Sequence, residues 1–371
     1  MSGPVVLFRE IPCRDGSVLG VATLNSERSL HSLNVPIITT LYPQLLAWAR
    51  DGRVRAVFLE GAGERAFCAG GDVKSICLAV RQNGIDDNLA FRLFSNEYRL
   101  DYLIHVYPKP LVVWGTGIVM GGGIGLLCGA SHRVVTETSR LAMPEITIGL
   151  YPDVGGSWFL GRRGAIGLFL GMTGANFGAA DALETGFGTV AVASAHRQDV
   201  LAALADLEWP TDRAAQDARV SGVLDSYRLS DLPDGHLPGA RAEIESRCGA
   251  PDFPELYCRL TEPSSHPWID KAAYTLAAGS PTSAALIHRQ WLNGANQSLP
   301  ETFRQELVLS VQCARHPDFI EGVRALLVDK DQQPVWQPAS VDGLTPAWLD
   351  GHYREPWSGP HPLADMEHIL D

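Results

Sequence analysis

Glu145 and Asp153 are the residues with the clearest capacity for chemistry. They are the only acids between Leu141 and Phe159, where most other residues are apolar or small. A carboxylate in apolar surroundings has a raised pKa, which suits general acid–base or nucleophilic catalysis. Asp153 could equally be the N-cap of a helix that begins at Val154, and Glu145 could be an exposed acid at a strand end. Spacing alone leaves both roles open for Asp153 and favours a functional role for Glu145.

Two glycine-rich segments each follow a strand-like run and precede a helix-like run. They are FCAGGD at 67–72 and GGG at 121–123. Successive glycines let a ligand approach backbone N–H groups, so two such loops could aim two donors at one oxygen, as in an oxyanion hole. Each segment could also be a tight turn without a ligand. Neither matches the pattern of a nucleotide P-loop, and GTGIVMGGG has the wrong spacing for a dinucleotide fingerprint.

The composition limits the classes of function. The chain of 371 residues is 46% hydrophobic and 19% charged, which is typical of a globular protein, and its net charge of −12 argues against a nucleic-acid partner. Its seven cysteines are scattered and its 11 histidines form no ligand pattern, which indicates reduced thiols and no metal site. The N-terminus lacks the order of a signal peptide, and no apolar run approaches the about 20 residues of a membrane span. We therefore expect a cytoplasmic protein without a membrane partner.

The elements that must position these residues alternate between strands and helices. Apolar runs at 4–10 and 18–24 flank Asp15-Gly16 and predict an opening β-hairpin. Further strand-like runs lie at 54–60, 111–114, 132–136, 140–143 and 188–193, and helical patterns lie at 33–50, 72–106, 154–171 and 176–186. Such alternation is typical of an α/β fold whose sheet has crossover connections.

The sequence changes character near residue 195, where strand signals weaken and helical periodicity dominates. Two amphipathic helices are predicted over 281–330, with helix caps supplied by SPTS at 280–283. We therefore predict an α/β core over residues 1–200 and a mainly helical C-terminal region over residues 201–371 that covers the active site.

Three motifs occur together: AFCAGGDVK at 66–74, MGGGIGL at 120–126 and LAMPEITIGLYPDVGG at 141–156. In this order and spacing they resemble the crotonase (enoyl-CoA hydratase/isomerase) superfamily, and the resemblance spans about residues 5–340. The segments SPTS at 280–283 and HPDFIEGVRALLVDKDQ at 316–332 are similar to the 3-hydroxyisobutyryl-CoA hydrolase subgroup. The resemblance implies a crotonase-like ββα spiral core with a helical C-terminal region, and an acyl-CoA substrate.

The resemblance also implies how an acyl-CoA is held. The N–H groups of Gly71 and Gly122 would form an oxyanion hole for the thioester carbonyl, and coenzyme A would lie across the loop at 66–71. The residues implied to bind coenzyme A are Arg28, Leu30, Phe67, Ala69, Gly70 and Asp72. His31 stands where the family commonly has Asn, which is a departure near this loop. No cofactor is implied, because coenzyme A is part of the substrate, and a homo-oligomer is expected from the habit of the family.

Gly125 separates hydration from hydrolysis. True hydratases carry a catalytic Glu at this position, since adding water across a double bond needs two carboxylates around that water. In the hydrolases the equivalent of Glu145 attacks the thioester carbonyl and water cleaves the resulting mixed anhydride. Asp153 would bind the 3-hydroxyl group of the substrate or handle protons, and direct attack by water with Glu145 as general base stays open.

The reaction implied by this resemblance is the hydrolysis of a short 3-hydroxyacyl-CoA. The favoured substrate is 3-hydroxyisobutyryl-CoA, an intermediate of valine catabolism, and 3-hydroxypropionyl-CoA is a close rival. Two alternatives are another crotonase reaction, such as enoyl-CoA isomerisation, and non-catalytic binding of an acyl-CoA.

Overall fold

A computed structural model describes residues 3–84 and 88–371 of the chain. The predicted helical region at 72–106 includes residues 85–87, which lie outside the described residues. The strands are β1 (Val6–Pro12), β2 (Val18–Leu24), β3 (Val54–Gly61), β4 (Ala66–Cys68), β5 (Leu111–Gly115), β6 (Ile118–Met120), β7 (His132–Val135), β8 (Arg140–Ala142) and β9 (Val190–Ala191).

Helices connect and cover these strands. In the N-terminal half they are α1 (Val35–Arg50), α2 (Val73–Asn83), α3 (Leu89–His105), α4 (Gly122–Gly129), α5 (Gly156–Gly161), α6 (Gly164–Thr173) and α7 (Ala179–Glu184). In the C-terminal half they are α8 (Arg197–Ala205), α9 (Arg213–Ser226), α10 (Leu237–Cys248), α11 (Phe253–Thr261), α12 (Pro267–Ala278), α13 (Pro281–Gly294), α14 (Leu299–Arg315), α15 (Pro317–Val323) and α16 (Pro346–Gly351).

The strands form two sheets whose order reveals a spiral. The large sheet has the order β1-β2-β3-β5-β7-β9, and the small sheet has the order β4-β6-β8. The hairpin of β1 and β2 is antiparallel, whereas the other pairs are parallel. The chain therefore passes three times from a strand of the large sheet to a strand of the small sheet and on into a helix. This repeated ββα path confirms the predicted fold class.

Local sequence explains most of the boundaries. The opening hairpin turns at Gly16, which has a positive φ of 82°. Strand β3 is buried along almost its whole length and is mostly apolar, as expected for a parallel sheet covered on both faces. Helix α1 begins after Asn34, whose side chain accepts a hydrogen bond from the N–H of Ile37, and it continues through Pro43. A proline normally confines the start of a helix, so the position of Pro43 inside α1 differs from what the sequence predicts.

Two predicted helical segments are broken into shorter helices. The segment at 154–171 is divided between α5 and α6, because Gly164 takes a positive φ of 56°. The segment at 281–330 holds α13, α14 and α15 and a π-helical turn at Arg324–Val328, instead of two helices. The capping box of Ser298 and Glu301 starts α14, and Pro317 starts α15.

The C-terminal helices share a core with the α/β part. In the described residues all the strands end before residue 192, and the regular elements after Arg197 are helices. One apolar cluster includes Leu24 of β2, Ile124 of α4 and Phe303 of α14, so α13 and α14 pack directly on α5 and α3. The division into domains at residue 200 stays a prediction. In the described residues no helix combines the length and apolar character of a membrane span.

Candidate active site

The two glycine loops lie side by side and present unpaired backbone donors. Leu33 donates its N–H to the carbonyl of Gly70, and its own carbonyl accepts from Asp72, which leaves Gly71 between these two bonds. Gly122 is the first residue of α4. In the described part of the chain neither the N–H of Gly71 nor that of Gly122 has a hydrogen-bond acceptor. A β-carbon at Gly70 would lie 3.7 Å from the nitrogen of Gly122, so both donors belong to one small region.

Glu145 lies against this region. It follows β8 and opens a 3₁₀ turn that Gly149 closes with a φ of 68°, donating its N–H to the carbonyl of Glu145. Glu145 is only 5% exposed, and its Oε1 would lie 2.9 Å from a β-carbon at Gly121. Among the described residues its Oε2 has no hydrogen-bond partner. Burial raises the pKa of Glu145 well above its ordinary value, and the nearby charges of Asp153 and Glu97 raise it further.

Asp153 does not cap the helix that follows it. Helix α5 begins at Gly156, after Val154 and Gly155 take positive φ angles of 53° and 83°. The alternative in which Asp153 is the N-cap of a helix beginning at Val154 is therefore wrong. The N–H groups at this helix start are instead taken by Glu306 of α14, which accepts from Gly155 at 2.8 Å and from Ser157 at 3.0 Å. The side chain of Asp153 is therefore left to point elsewhere.

The carboxylate of Asp153 is held by a tyrosine. Tyr98 of α3 donates its hydroxyl to Oδ2 of Asp153 at 2.6 Å, and Ser310 of α14 lies 2.6 Å from the same hydroxyl. Burial raises the pKa of Asp153 to about 6, while the hydrogen bond from Tyr98 lowers it. The group can therefore accept or release a proton near neutral pH.

Helix α3 contributes two further acids that sequence reasoning missed. Glu97 is 2% exposed, and its Oε1 would lie only 2.3 Å from a β-carbon at Gly122, while its Oε2 would lie 3.5 Å from one at Gly71. Asp101, one turn later, is fully buried, and in the described residues neither of its carboxyl oxygens has a hydrogen-bond partner. Their spacing of four residues on a predicted helix was the available signal, since it puts both acids on one face.

The buried acids act on one another electrostatically. Burial raises the pKa of Glu97 and of Asp101 well above their ordinary values, and the charge of Asp153 adds to both shifts. Burial also raises the pKa of Glu306 to about 8, against the lowering effect of its backbone donors. In each case the neighbouring charge that raises the pKa is another carboxylate. Glu306 therefore keeps its proton at neutral pH, whereas Asp153, with a pKa of about 6, releases its proton more readily.

The space beside Gly125 is filled. A β-carbon at Gly125 would lie 2.6 Å from Cβ of Val154 and 3.2 Å from Oδ1 of Asp101. A longer side chain at this position would have to displace both neighbours. The site thus lacks a carboxylate on α4 and has no room for one in this arrangement.

The residues predicted to bind coenzyme A lie together at the outer edge of the glycine loops. Arg28 is exposed in a 3₁₀ turn at Glu27–Ser29, and Leu30 follows it with a positive φ of 52°. Ala69 donates its N–H to the carbonyl of Leu30 at 3.0 Å, which ties the two segments together. These residues therefore border one surface of the loop.

The other residues predicted to bind coenzyme A are buried or already hydrogen-bonded within the protein. Phe67 is fully buried, backbone included, so it presents no exposed surface to a ligand in this structure. The carboxylate of Asp72 caps α2 by accepting from the N–H and the hydroxyl of Ser75. His31 accepts from the N–H of Ser26 through Nδ1 and bonds the carbonyl of Ala62 through Nε2, which braces the loop. Binding of coenzyme A by these residues stays a prediction.

No group of three or more His, Cys, Asp or Glu side chains in residues 3–84 and 88–371 could hold a metal ion. The arrangement instead offers two backbone donors, a carboxyl beside them and a second carboxyl with a pKa near neutrality. Backbone donors of this kind stabilise an oxyanion, and a carboxylate beside them can act as nucleophile or base.

Known proteins resemble this chain over nearly its whole length. The family described as enoyl-CoA hydratase/isomerase matches residues 19–353. The protein named 3-hydroxyisobutyryl-CoA hydrolase, mitochondrial, of Danio rerio is 39% identical over 94% of this chain and 89% of its own length. The protein of the same name from Homo sapiens is 35% identical over 90% of this chain and 86% of its own. The prediction of a cytoplasmic location finds no support in these names and stays a prediction.

Two solved structures share the fold closely. One is titled a carnitinyl-CoA dehydratase from Mycobacterium thermoresistibile, with a TM-score of 0.82 and 34% identity over 95% of this chain and 97% of that one. The other is titled an enoyl-CoA hydratase from Rhodobacter sphaeroides, with a TM-score of 0.81 and 31% identity over 95% of this chain and 98% of that one. The chain belongs to the enoyl-CoA hydratase/isomerase (crotonase) family, and within it to the group of the 3-hydroxyisobutyryl-CoA hydrolases.

Proposed function

We propose that this protein hydrolyses a short 3-hydroxyacyl-CoA thioester, with 3-hydroxyisobutyryl-CoA as the favoured substrate. The observation that carries the proposal is the position of Glu145, whose carboxyl lies against Gly121 beside the free N–H of Gly122. A thioester carbonyl polarised by Gly71 and Gly122 would thus present its carbon to a carboxylate. The names of the relatives support the same reaction, and a role in valine catabolism is part of the proposal.

The proposed reaction has two steps. Glu145 first passes its proton to Asp153, and the ionised Glu145 then attacks the thioester carbon. The C–S bond breaks, and the thiolate of coenzyme A takes that proton from Asp153. Water then attacks the acyl carbon of the mixed anhydride, Asp153 takes the proton of that water, and Glu145 leaves as a carboxylate. The N–H groups of Gly71 and Gly122 stabilise the oxyanion in both steps. A pKa of about 6 suits Asp153 to both proton transfers.

Hydration is the main competing function, since both solved relatives carry names of that class. Reversible hydration needs two carboxylates placed around one water. The position that would supply the second one is Gly125, where Val154 already occupies the space. This packing favours hydrolysis. Non-catalytic binding is disfavoured because it gives no reason to bury Glu145 without a partner.

Release of coenzyme A tests the proposal directly. The protein is incubated with 3-hydroxyisobutyryl-CoA, 3-hydroxypropionyl-CoA, isobutyryl-CoA and crotonyl-CoA, and free thiol is followed together with the absorbance of the enoyl thioester. We expect thiol release from the two 3-hydroxyacyl-CoA substrates, and little change with the other two. Hydration of crotonyl-CoA without thiol release would replace this function by a hydratase activity, and no turnover of any substrate would leave only binding.

Compartment and assembly complete the proposal. We propose a cytoplasmic location from the seven scattered cysteines, which are typical of reduced intracellular thiols, and fractionation of cells that make the protein would test it. A homo-oligomer is proposed from the habit of the family, and light scattering of the purified protein would decide between one and several copies.

A further inference from the structure

We infer that Glu306 and Ser310 of helix α14 are positioning residues for Asp153, so that the C-terminal region sets the geometry of the proposed active site. The inference rests on the proposed function of Asp153, but its geometry can be tested without turnover. Both residues are fully buried, and they lie one helical turn apart on the face of α14 that packs on α3 and α5.

Glu306 occupies the backbone N–H groups from which Asp153 could otherwise accept a hydrogen bond. Asp153 opens a turn that the N–H of Gly156 closes on its carbonyl, and an Asp at the start of a turn tends to accept from the backbone N–H two residues later, here that of Gly155. Here the carboxyl of Glu306 accepts from the N–H groups of Gly155 and Ser157 at 2.8 and 3.0 Å. Asp153 therefore has no local donor to satisfy, and its carboxyl is free to face the site.

The hydrogen bond between Glu306 and Gly155 also stabilises an unfavourable backbone conformation at Val154. Val154 has a φ of 53°, a region that a β-branched residue rarely adopts. The N–H of the next residue, Gly155, is the one that Glu306 accepts. Val154 in turn fills the space beside Gly125. Glu306 thus fixes the turn that both orients Asp153 and closes the place of a second catalytic acid.

Ser310 completes the arrangement from the other side. The single proton of the Tyr98 hydroxyl is donated to Asp153, so the hydroxyl of Ser310 must donate to Tyr98 at 2.6 Å. The hydroxyl of Tyr151 lies 2.9 Å from Ser310, but it donates its own proton to the carbonyl of Glu306 at 2.8 Å. The chain of hydrogen bonds therefore runs from Ser310 through Tyr98 to Asp153, and each donor strengthens the next. This direction favours the ionised form of Asp153.

Several titratable groups face Asp153 and have to be considered in any titration. They are Glu97, Tyr98 and Asp101 from α3, Glu145 from the turn after β8, Tyr151 from its own turn, and Glu306 and Cys313 from α14. The titration of the Asp153 carboxyl is therefore measured separately from theirs, by carbon-13 NMR of labelled aspartate side chains. The variant Asp153→Asn identifies its signal.

The experiment compares Ser310→Ala, Ser310→Thr and Glu306→Gln with the control Glu301→Gln, whose glutamine preserves the exposed capping box at the start of α14. In Ser310→Ala we expect the Asp153 titration to move to higher pH and kcat to fall about tenfold with KM nearly unchanged. Ser310→Thr should restore both values, and Glu301→Gln should match the wild type.

A crystal structure of Glu306→Gln provides the second readout. We expect Asp153 to turn towards the N–H groups at 155–157 and to lose its bond from Tyr98. An unchanged Asp153 in that structure, or an unchanged titration in folded Ser310→Ala, would overturn the inference. Absence of thioester hydrolysis by the wild type would instead refute the proposed function, because the titration and the structure do not depend on turnover.

Discussion

The site has two walls that are built in different ways. The glycine wall consists of Gly70, Gly71, Gly121 and Gly122. The acid wall consists of Glu97, Asp101, Asp153 and Glu306. The glycine wall offers backbone N–H groups, which neighbouring strands and helix starts hold in place. The acid wall offers side chains that are placed by hydrogen bonds and packing between distant segments.

Because they are built differently, the two walls should contribute differently to catalysis and to its pH dependence. Backbone donors do not titrate, so the glycine wall should stabilise an oxyanion equally at all working pH values. The carboxyls of the acid wall have pKa values that are raised by burial and by one another, so this wall should carry the pH dependence of both activity and stability. Glu145 lies where the walls meet and should depend on both.

Replacement of Glu145 by glutamine should have the largest effect. Glu145→Gln removes the attacking oxygen charge, so turnover should fall by at least about 10³-fold while acyl-CoA binding persists. Steady-state thiol release and calorimetric binding would measure the two effects. Glu208→Gln, an exposed acid outside the site, is the matched control. Full activity of Glu145→Gln would remove both the nucleophile and the base assignment.

A side chain on the glycine wall should come next. In Gly122→Ala the new carbon would lie 2.3 Å from Oε1 of Glu97, which forces the two apart and spoils the donor position. We expect kcat to fall about 10²-fold, with little change in the shape of the pH profile. Gly52→Ala, which meets nothing within 4 Å, controls for the substitution itself. A loss below about threefold would show that this N–H is not used.

Removal of one hydroxyl on the acid wall should act mainly on pH dependence. Tyr98→Phe deletes the donor to Asp153, and that hydrogen bond lowers the pKa of Asp153. The pKa should therefore rise above about 6, and kcat should fall by at least about tenfold, because Ser310 acts on Asp153 only through this hydroxyl. Carbon-13 NMR of the Asp153 side chain reports the first effect. An unchanged pKa of Asp153 in Tyr98→Phe would show that Tyr98 does not control the ionisation of Asp153.

Asp101 should affect stability more than rate. Its pKa is raised in the folded state, so the stability associated with this group is complete below the unfolded pKa and is lost as pH rises through the folded pKa. Asp101→Asn should therefore gain stability over the wild type from about pH 4 upward, by about 1.4 kcal/mol per pH unit until the folded pKa is reached. Thermal unfolding between pH 5 and pH 9 measures this gain, with exposed Asp231→Asn as the control. A gain that does not depend on pH would contradict the electrostatic explanation.

The two walls also differ in how far the sequence predicts them. The glycine wall and Glu145 follow from short motifs, because adjacent residues form the turns that place them. Asp153 was left between two roles, since its capping tendency is local whereas Glu306, which takes over that role, is distant in sequence. The alternation of elements predicted crossover connections and the resemblance implied the spiral, but neither predicted the strand order of the two sheets.

The acids on α3 and α14 were missed for a physical reason. Whether a helical Glu or Asp is buried depends on which helix packs over it, and periodicity does not contain that information. A partial signal existed in α14, where Phe303, Glu306, Leu307 and Ser310 recur at the spacing of one buried face. Polar residues within such a face indicate a partner elsewhere in the fold.

Exchange of coenzyme A is the most direct test of the central claim that Glu145 takes the acyl group. The wild type is mixed with 3-hydroxyisobutyryl-CoA and an excess of isotopically labelled free coenzyme A, and the remaining thioester is analysed by mass spectrometry. An acyl group on Glu145 can return to a thiol as well as pass to water, so label should enter the unreacted thioester, and Glu145→Gln should show none. Rapid release of coenzyme A without any labelled thioester would contradict the account and support direct attack by water.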